Sequence, residues 1–321
     1  MKTRIYTSIG IVLVLVLAFV LKMLVSSYFF DALIFAMAFV GAYEMSKILS
    51  EMGKYNNKYV IISFPVLFLA INLIGVNFDT VIGYWSLLID LGVVVVAFLL
   101  VFLIGLMRRK STAKEMKVRR LEGDKPAKFC AKKALHTIYG ALYPTFLLMT
   151  MVFLNHFDEM GGIYTNIADF GGYFSFIALL FAFLIPSITD TFAYLTGGLI
   201  GGKKLSPKIS PNKTWSGAIG GLVWCTAVCV CIYLILNAIP TFYHIFNETG
   251  FAFWQVLIIA FLASIVAQAG DLFESFIKRR ASVKDSGRFL PGHGGMLDRC
   301  DSYIFVTPLL LVAFSILACV L

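Results

Sequence analysis

The stretch Leu91-Gly92-Val93-Val94-Val95-Val96-Ala97-Phe98-Leu99-Leu100-Val101-Phe102-Leu103-Ile104-Gly105-Leu106-Met107 runs straight into Arg108-Arg109-Lys110. No charge interrupts it, and carrying it back to Ile82 adds only Asp90. An α-helix rises 1.5 Å per residue, so about 20 apolar residues cross the hydrocarbon core of a bilayer. An apolar run of that length, closed by three cations, reads as a membrane span whose last turn meets an interface.

The rest of the 321-residue chain is of the same kind, with 60% hydrophobic and 14% charged residues. A water-soluble domain carries roughly 45–50% apolar and about 25% charged residues. That excludes a soluble enzyme, a fibre and a disordered tail. The six cysteines lie in or beside apolar stretches without paired spacing. This argues against a disulfide scaffold or a zinc ribbon and for small buried hydrophobes.

Nine stretches are long enough to cross, at about 5 to 25, 28 to 46, 59 to 77, 82 to 107, 134 to 155, 171 to 195, 217 to 238, 251 to 277 and 303 to 321. With an inside N-terminus, 26 of the 27 Lys and Arg fall in inner segments, eleven of them between Arg108 and Lys133. Lys22, near the outer end of the first span, is expected to snorkel to the interface. So lopsided a distribution predicts an all-α, polytopic membrane protein with about nine transmembrane helices, N-terminus cytoplasmic and C-terminus outside. The first apolar run lacks a small-residue cleavage site and is read as a retained span. Residues 1–133 form the N-terminal helices with a basic loop, and 134–321 a C-terminal catalytic region, within one integral unit.

Ionisable side chains in spans are costly and normally face protein or a wet cavity. Asp31, Glu44, Asp90, Asp190, Asp271 and Glu274 fall within or at the edges of the spans. For Asp31 and Asp90 a structural role is expected, and Glu44 can pair with Lys47 one turn away. Asp190, Asp271 and Glu274 lie towards inner ends that lead into basic, glycine-containing loops, so metal ions or lysines must compensate them. The loop after Asp190 carries Gly197-Gly198, Gly201-Gly202 and four lysines, either a polyphosphate seat or an ordinary positive loop. In the last inner loop Asp271, Ser275 and Lys278 share a helix face. Pro291-Gly292-His293-Gly294-Gly295 then leads to Asp298-Arg299-Cys300-Asp301. A glycine-rich turn before a helix start can form an anion-binding nest, and carboxylates at i and i+3 suit magnesium bound together with substrate phosphates.

The 27-residue run from Ser275 to Asp301 resembles the signature of phosphatidate cytidylyltransferases, the CDP-diacylglycerol synthases. Asp190-Thr191-Phe192-Ala193-Tyr194 and Ser210-Pro211-Asn212-Lys213-Thr214-Trp215 agree with it. The likeness covers the C-terminal half, whereas the first 130 residues share only their spans. Ser216 stands where the family usually has Glu, and Cys300 where it has an aliphatic residue or Thr.

The resemblance implies transfer of a cytidylyl group from CTP to phosphatidate, giving CDP-diacylglycerol and diphosphate for phospholipid synthesis. It also implies Mg2+, with a second cation open, and a homodimer. Asp271, Lys213, Ser275, Lys278 and Asp298 are the expected catalytic residues. Ser210, Lys213, Arg279, His293, Gly294, Gly295 and Arg299 are expected to bind substrate, with a turn-stabilising role as the alternative for His293. Asp271, Asp298, Asp301 and Asp190 are the expected metal ligands. The partners expected are CTP, phosphatidate and membrane lipid, without nucleic acid, at the cytoplasmic face of the cell membrane. The Arg108–Lys133 loop, net +8, either gathers anionic lipid or anchors the topology. A CTP-dependent lipid kinase and an ion-coupled transporter are the rival readings.

Overall fold

The computed structural model describes residues 2–77, 81–118, 125–159 and 172–320. The N-terminal helices are α1 (Lys2–Leu24), α2 (Tyr28–Glu51), α3 (Lys58–Asn77) and α4 (Val81–Met107), followed by the short basic α5 (Arg109–Val118). Next, α6 (Pro126–Ala141) passes through a π-helical turn at Leu142–Phe146 into α7 (Leu147–Asn155). Pro126 starts α6 at a position where a missing N–H costs nothing. The C-terminal part comprises α8 (Tyr173–Ile200), a hairpin of β1 (Lys204–Ser206) and β2 (Ser210–Thr214), α9 (Trp215–Asn237), α10 (Pro240–Glu248), α11 (Phe253–Arg280) and α12 (Leu297–Val320).

Among the described residues seven helical segments are long and apolar enough to cross a membrane, with shorter apolar stretches at Lys58–Ile71 and Gly92–Met107. This is the architecture of an all-α polytopic membrane protein, to which the β1–β2 hairpin is a small addition. The hairpin was not foreseen in the sequence, because Lys204 to Thr214 lacks the alternation of a half-buried strand. The spans also extend past their expected inner ends. α8 continues to Ile200 and α11 to Arg280, so Asp190 lies about 15 Å from the end of its helix.

Lipid tails are as apolar as leucine, so helices in a bilayer associate through close packing and polar contacts rather than hydrophobic burial. Two seams display this. A Cβ on Gly217 of α9 would stand 2.6 Å from the Ala193 carbonyl oxygen of α8, and one on Gly221 2.7 Å from that of Thr189. A Cβ on Gly270 of α11 would stand 2.7 Å from the Asp301 carbonyl oxygen of α12. This second contact brings neighbouring Asp271 to the start of α12. Between the seams one apolar core runs from Ala18 to Phe314. Cys130, Cys225, Cys229 and Cys300 are buried free thiols, while Cys231 is exposed.

Two expectations change at the polar positions. Lys22 does not reach outward: it is buried, and its Nζ donates to the Asn155 carbonyl at 2.7 Å. His156 stands 2.6 Å from Asp31 Oδ2, and Asp31 Oδ1 accepts from Asn155 Nδ2 at 2.8 Å, so Asp31 has the structural role expected of it. A buried charge needs such partners, and residues from α1, α2 and the end of α7 supply them here. Glu44 pairs not with Lys47 but with the start of α12, 252 residues away along the chain. The side chain of Asp90 and residues 119–124 of the basic loop lie outside the described set.

Candidate active site

A cavity of about 1520 Å³ opens between α1, α2, α8, the hairpin, α11 and α12. Its charged lining includes Asp190 of α8, Lys204 of β1, Lys213 of β2, Asp271 and Lys278 of α11, Asp285 of the following loop, and Asp298 and Asp301 of α12. Arg299 and His293 also line it. The structure therefore gathers into one cavity eight of the thirteen residues expected to act in catalysis, substrate binding or metal binding.

Two lysines are interleaved with the carboxylates. Lys278 Nζ stands 2.7 Å from Asp298 Oδ1 and 3.2 Å from Glu274 Oε2, the latter one turn back on the same helix. Lys213 reaches across from the hairpin to form an ion pair with Asp271 Oδ2. Asp190, Asp271 and Glu274 act on Asp301 as neighbouring like charges, and Glu274 Oε1 is buried without a hydrogen-bond partner. Desolvated carboxylates facing one another are unfavourable unless a cation joins them.

In donor type the set fits a hard divalent cation, which takes carboxylate and phosphate oxygens. Among the described residues no three His, Cys, Asp or Glu converge in ligating geometry. Lys213 covers one side of Asp271 and Lys278 one side of Asp298. Asp298 is further committed: its Oδ2 accepts from the amides of Gly295 at 2.7 Å and Ser286 at 2.9 Å, with the Ser286 hydroxyl at 3.0 Å. Oδ1, paired with Lys278, is the one carboxylate oxygen of Asp298 that the loop does not hold.

The other expected residues hold the frame. Arg279 Nε donates to the Ile209 carbonyl at 3.2 Å and ties the hairpin turn to α11. Ser275 Oγ lies 3.4 Å from Asp271 Oδ1. Neither these two nor Ser210, Gly294 and Gly295 belong to the cavity lining. The nest expected at the glycine turn is already filled by protein: the Gly295 amide serves Asp298, and the next two amides serve Glu44. Arg299 Nε and Nη2 donate to the His293 carbonyl at 3.3 and 3.1 Å.

α1 takes part although its sequence gave no sign of it. Ser8 Oγ is 3.1 Å from His293 Nε2, and Thr7 Oγ1 donates to the Pro291 carbonyl at 2.9 Å. From that contact Ile11, Val14 and Leu15 of α1, with Leu33, Met37 and Phe183 opposite, continue the cavity as an apolar wall. The eight residues of helix from Ser8 to Leu15 span about 10 Å. Ser216, the departure from the expected glutamate, donates its hydroxyl to the Gly201 carbonyl and stands 3.1 Å from Thr214 Oγ1. It closes the glycine loop onto the start of α9, where Thr214 caps the helix by accepting from the Gly217 amide at 3.1 Å.

Comparison with known proteins identifies relatives of the chain. The model of the cytidylyltransferase family matches residues 2–317. The phosphatidate cytidylyltransferase of Staphylococcus saprophyticus subsp. saprophyticus is 50% identical over 132 residues, 41% of this chain and 46% of that protein. The phosphatidate cytidylyltransferase of Staphylococcus haemolyticus is also 50% identical over 132 residues, with the same shares. For that of Brucella abortus biovar 1 the figures are 43% over 145 residues, 45% and 49%. The chain spans about half the length of the curated relatives it matches. Because the family match takes in α1 together with every charged residue of the cavity, the chain belongs to the cytidylyltransferase family.

Proposed function

We propose that the protein transfers a cytidylyl group from CTP to phosphatidate, forming CDP-diacylglycerol and diphosphate. The observation that carries this reading is the two-part cavity, with interleaved lysines and carboxylates at one end and an apolar wall leading away from them. A substrate with a polyanionic head and hydrocarbon tails has that shape. The family membership and the likeness to phosphatidate cytidylyltransferases support the same activity.

In the reaction a phosphatidate oxygen, already anionic near neutral pH, attacks the α-phosphorus of CTP. A new P–O bond forms, the bond from the α-phosphorus to the bridging oxygen breaks, and diphosphate leaves with that oxygen. No strong general base is needed, so catalysis rests on positioning and charge neutralisation. Lys213 and Lys278, now held by Asp271 and Asp298, are placed to turn onto phosphate oxygens. Arg299 adds charge at the turn, and Arg279 and Ser275 fix the hairpin and Asp271. Gly294 and Gly295 shape the turn, and His293 joins it to α1. Asp271, Asp190 and Asp301, with Oδ1 of Asp298, would hold Mg2+. Bound there, the cation would neutralise charge on the transferring phosphate.

The topology belongs to the same reading. Nine spans with a cytoplasmic N-terminus and an outer C-terminus put all but one of the Lys and Arg on the inner side. The polar end of the cavity then opens at the cytoplasmic face of the cell membrane, where CTP is available, and the active form is a homodimer. Membranes supplied with CTP, phosphatidate and magnesium should release diphosphate and form a CDP-lipid. CDP with a newly phosphorylated lipid would mark a kinase, and an absence of nucleotide turnover would favour a transporter.

A further inference from the structure

Glu44 lies on α2, outside every motif considered above, and is buried to 3% exposure. Its Oε1 accepts from the Met296 amide at 3.0 Å, and its Oε2 from the Leu297 amide at 2.9 Å and the Ser286 hydroxyl at 3.1 Å. Those amides open α12, where a helix has N–H groups without intrahelical acceptors and a partial positive charge. The same Ser286 hydroxyl stands 3.0 Å from Asp298 Oδ2 and 3.3 Å from the Asp298 amide. Glu44 and Asp298 thus grip the loop between α11 and α12 from two sides and meet at one hydroxyl. A Cβ on Gly287 or Gly295 would collide with the Glu44 carboxylate, so the loop is fitted around this group. Lys278, on the other oxygen of Asp298, completes the chain from α2 to the cavity.

We infer that Glu44 is a positioning residue for the transfer reaction: through Ser286 and the first amides of α12 it sets where Asp298 and, one turn on, Asp301 stand in the cavity. The inference rests on the proposed cytidylyl transfer for its kinetic part only. A carboxylate that merely stabilised the bundle could face any set of donors. This one is spent on the two backbone groups before Asp298 and on the hydroxyl that Asp298 shares. Removing it should disturb turnover more than substrate binding, because small displacements at the reacting centre act on kcat.

The test uses the full-length protein in detergent or vesicles, comparing wild type, Glu44→Gln, Ser286→Ala and the double variant. Glu44→Gln keeps the volume but turns an amide NH2 towards at least one donor. The expected result is a kcat lower by about tenfold or more, with KM for CTP and phosphatidate within about threefold of wild type. Hydrogen exchange at Met296 and Leu297 should accelerate while the other helices keep their protection. The double variant should lose no more than the worse single variant, since both act on one link. A kcat within about twofold of wild type in Glu44→Gln, or losses that multiply in the double variant, would overturn the inference. If Glu44→Gln does not fold, Ser286→Ala decides alone, and wild-type kcat there overturns it. If the wild type itself forms no CDP-lipid, the functional reading fails. The exchange rates still report whether Glu44 fixes the start of α12, and unchanged protection there would sink that part.

Discussion

Lys213 and Lys278 pair with Asp271 and Asp298, where in the proposed reaction substrate phosphates and a cation would meet the aspartates. Each ion pair lets carboxylates that face one another coexist in a bundle short of water, and each is poised for exchange. The Lys213–Asp271 pair is about a quarter exposed on each side, 26% and 22%. Breaking it should therefore cost the fold little, about 1 kcal/mol or less. Asp271→Asn is expected to stay inserted, with a thermal midpoint near that of wild type, and to lose about 100-fold or more in turnover. Comparable turnover in the two proteins would remove Asp271 from the site. Most of these residues were legible because they cluster within short stretches, 190–215 and 271–301. Glu44 was not, because its partners lie on the far side of the sequence and a local Lys47 offered a simpler pair. The burial of Lys22 was hidden for the same reason, since its partner Asn155 comes from another helix.

Helices α11 and α12 meet where a side chain would have no room. Gly270 sits against the backbone at Asp301, and in lipid such close approach supplies much of the association energy. Gly270→Ala should cost about 1–3 kcal/mol through forced separation of the helices, seen as a lower thermal midpoint together with lower activity. Gly92→Ala on α4, where a Cβ meets nothing within 4 Å, is the control and should leave both unchanged. Equal midpoints for all three proteins would show that the seam is not under the constraint described. The existence of the helices was readable from runs of apolar residues, but their ends were not. Lys278 to Arg280 prolong α11 beyond the apolar core because cations are favourable in a last turn. The hairpin gave no period-2 signal. Its place is fixed by Arg279 on the Ile209 carbonyl, a tertiary contact.

The whole molecule joins the charged part of one cavity, where the proposed reaction would take place, to an apolar wall built with α1. Among the seven described helical segments long and apolar enough to cross a membrane, that of α1 is the least buried, yet its first turns touch the Pro291–His293 turn while its middle lines the apolar wall. Ile11→Trp should narrow that wall and raise KM for phosphatidate by about threefold or more, with KM for CTP unchanged. A parallel rise in both constants would mean that the groove does not serve the lipid. Sequence alone tied the N-terminal half to the site only as a set of spans. Composition and charge describe which segments cross, whereas the pairing of α1 and α2 with the C-terminal turn exists only in three dimensions.

The most direct test follows the phosphorus atoms of CTP in the presence of phosphatidate and magnesium. With CTP labelled at the α-phosphorus the label should enter the lipid, and with CTP labelled at the γ-phosphorus it should leave as diphosphate. Label from the γ-position in the lipid, or from neither position, would contradict cytidylyl transfer at this site.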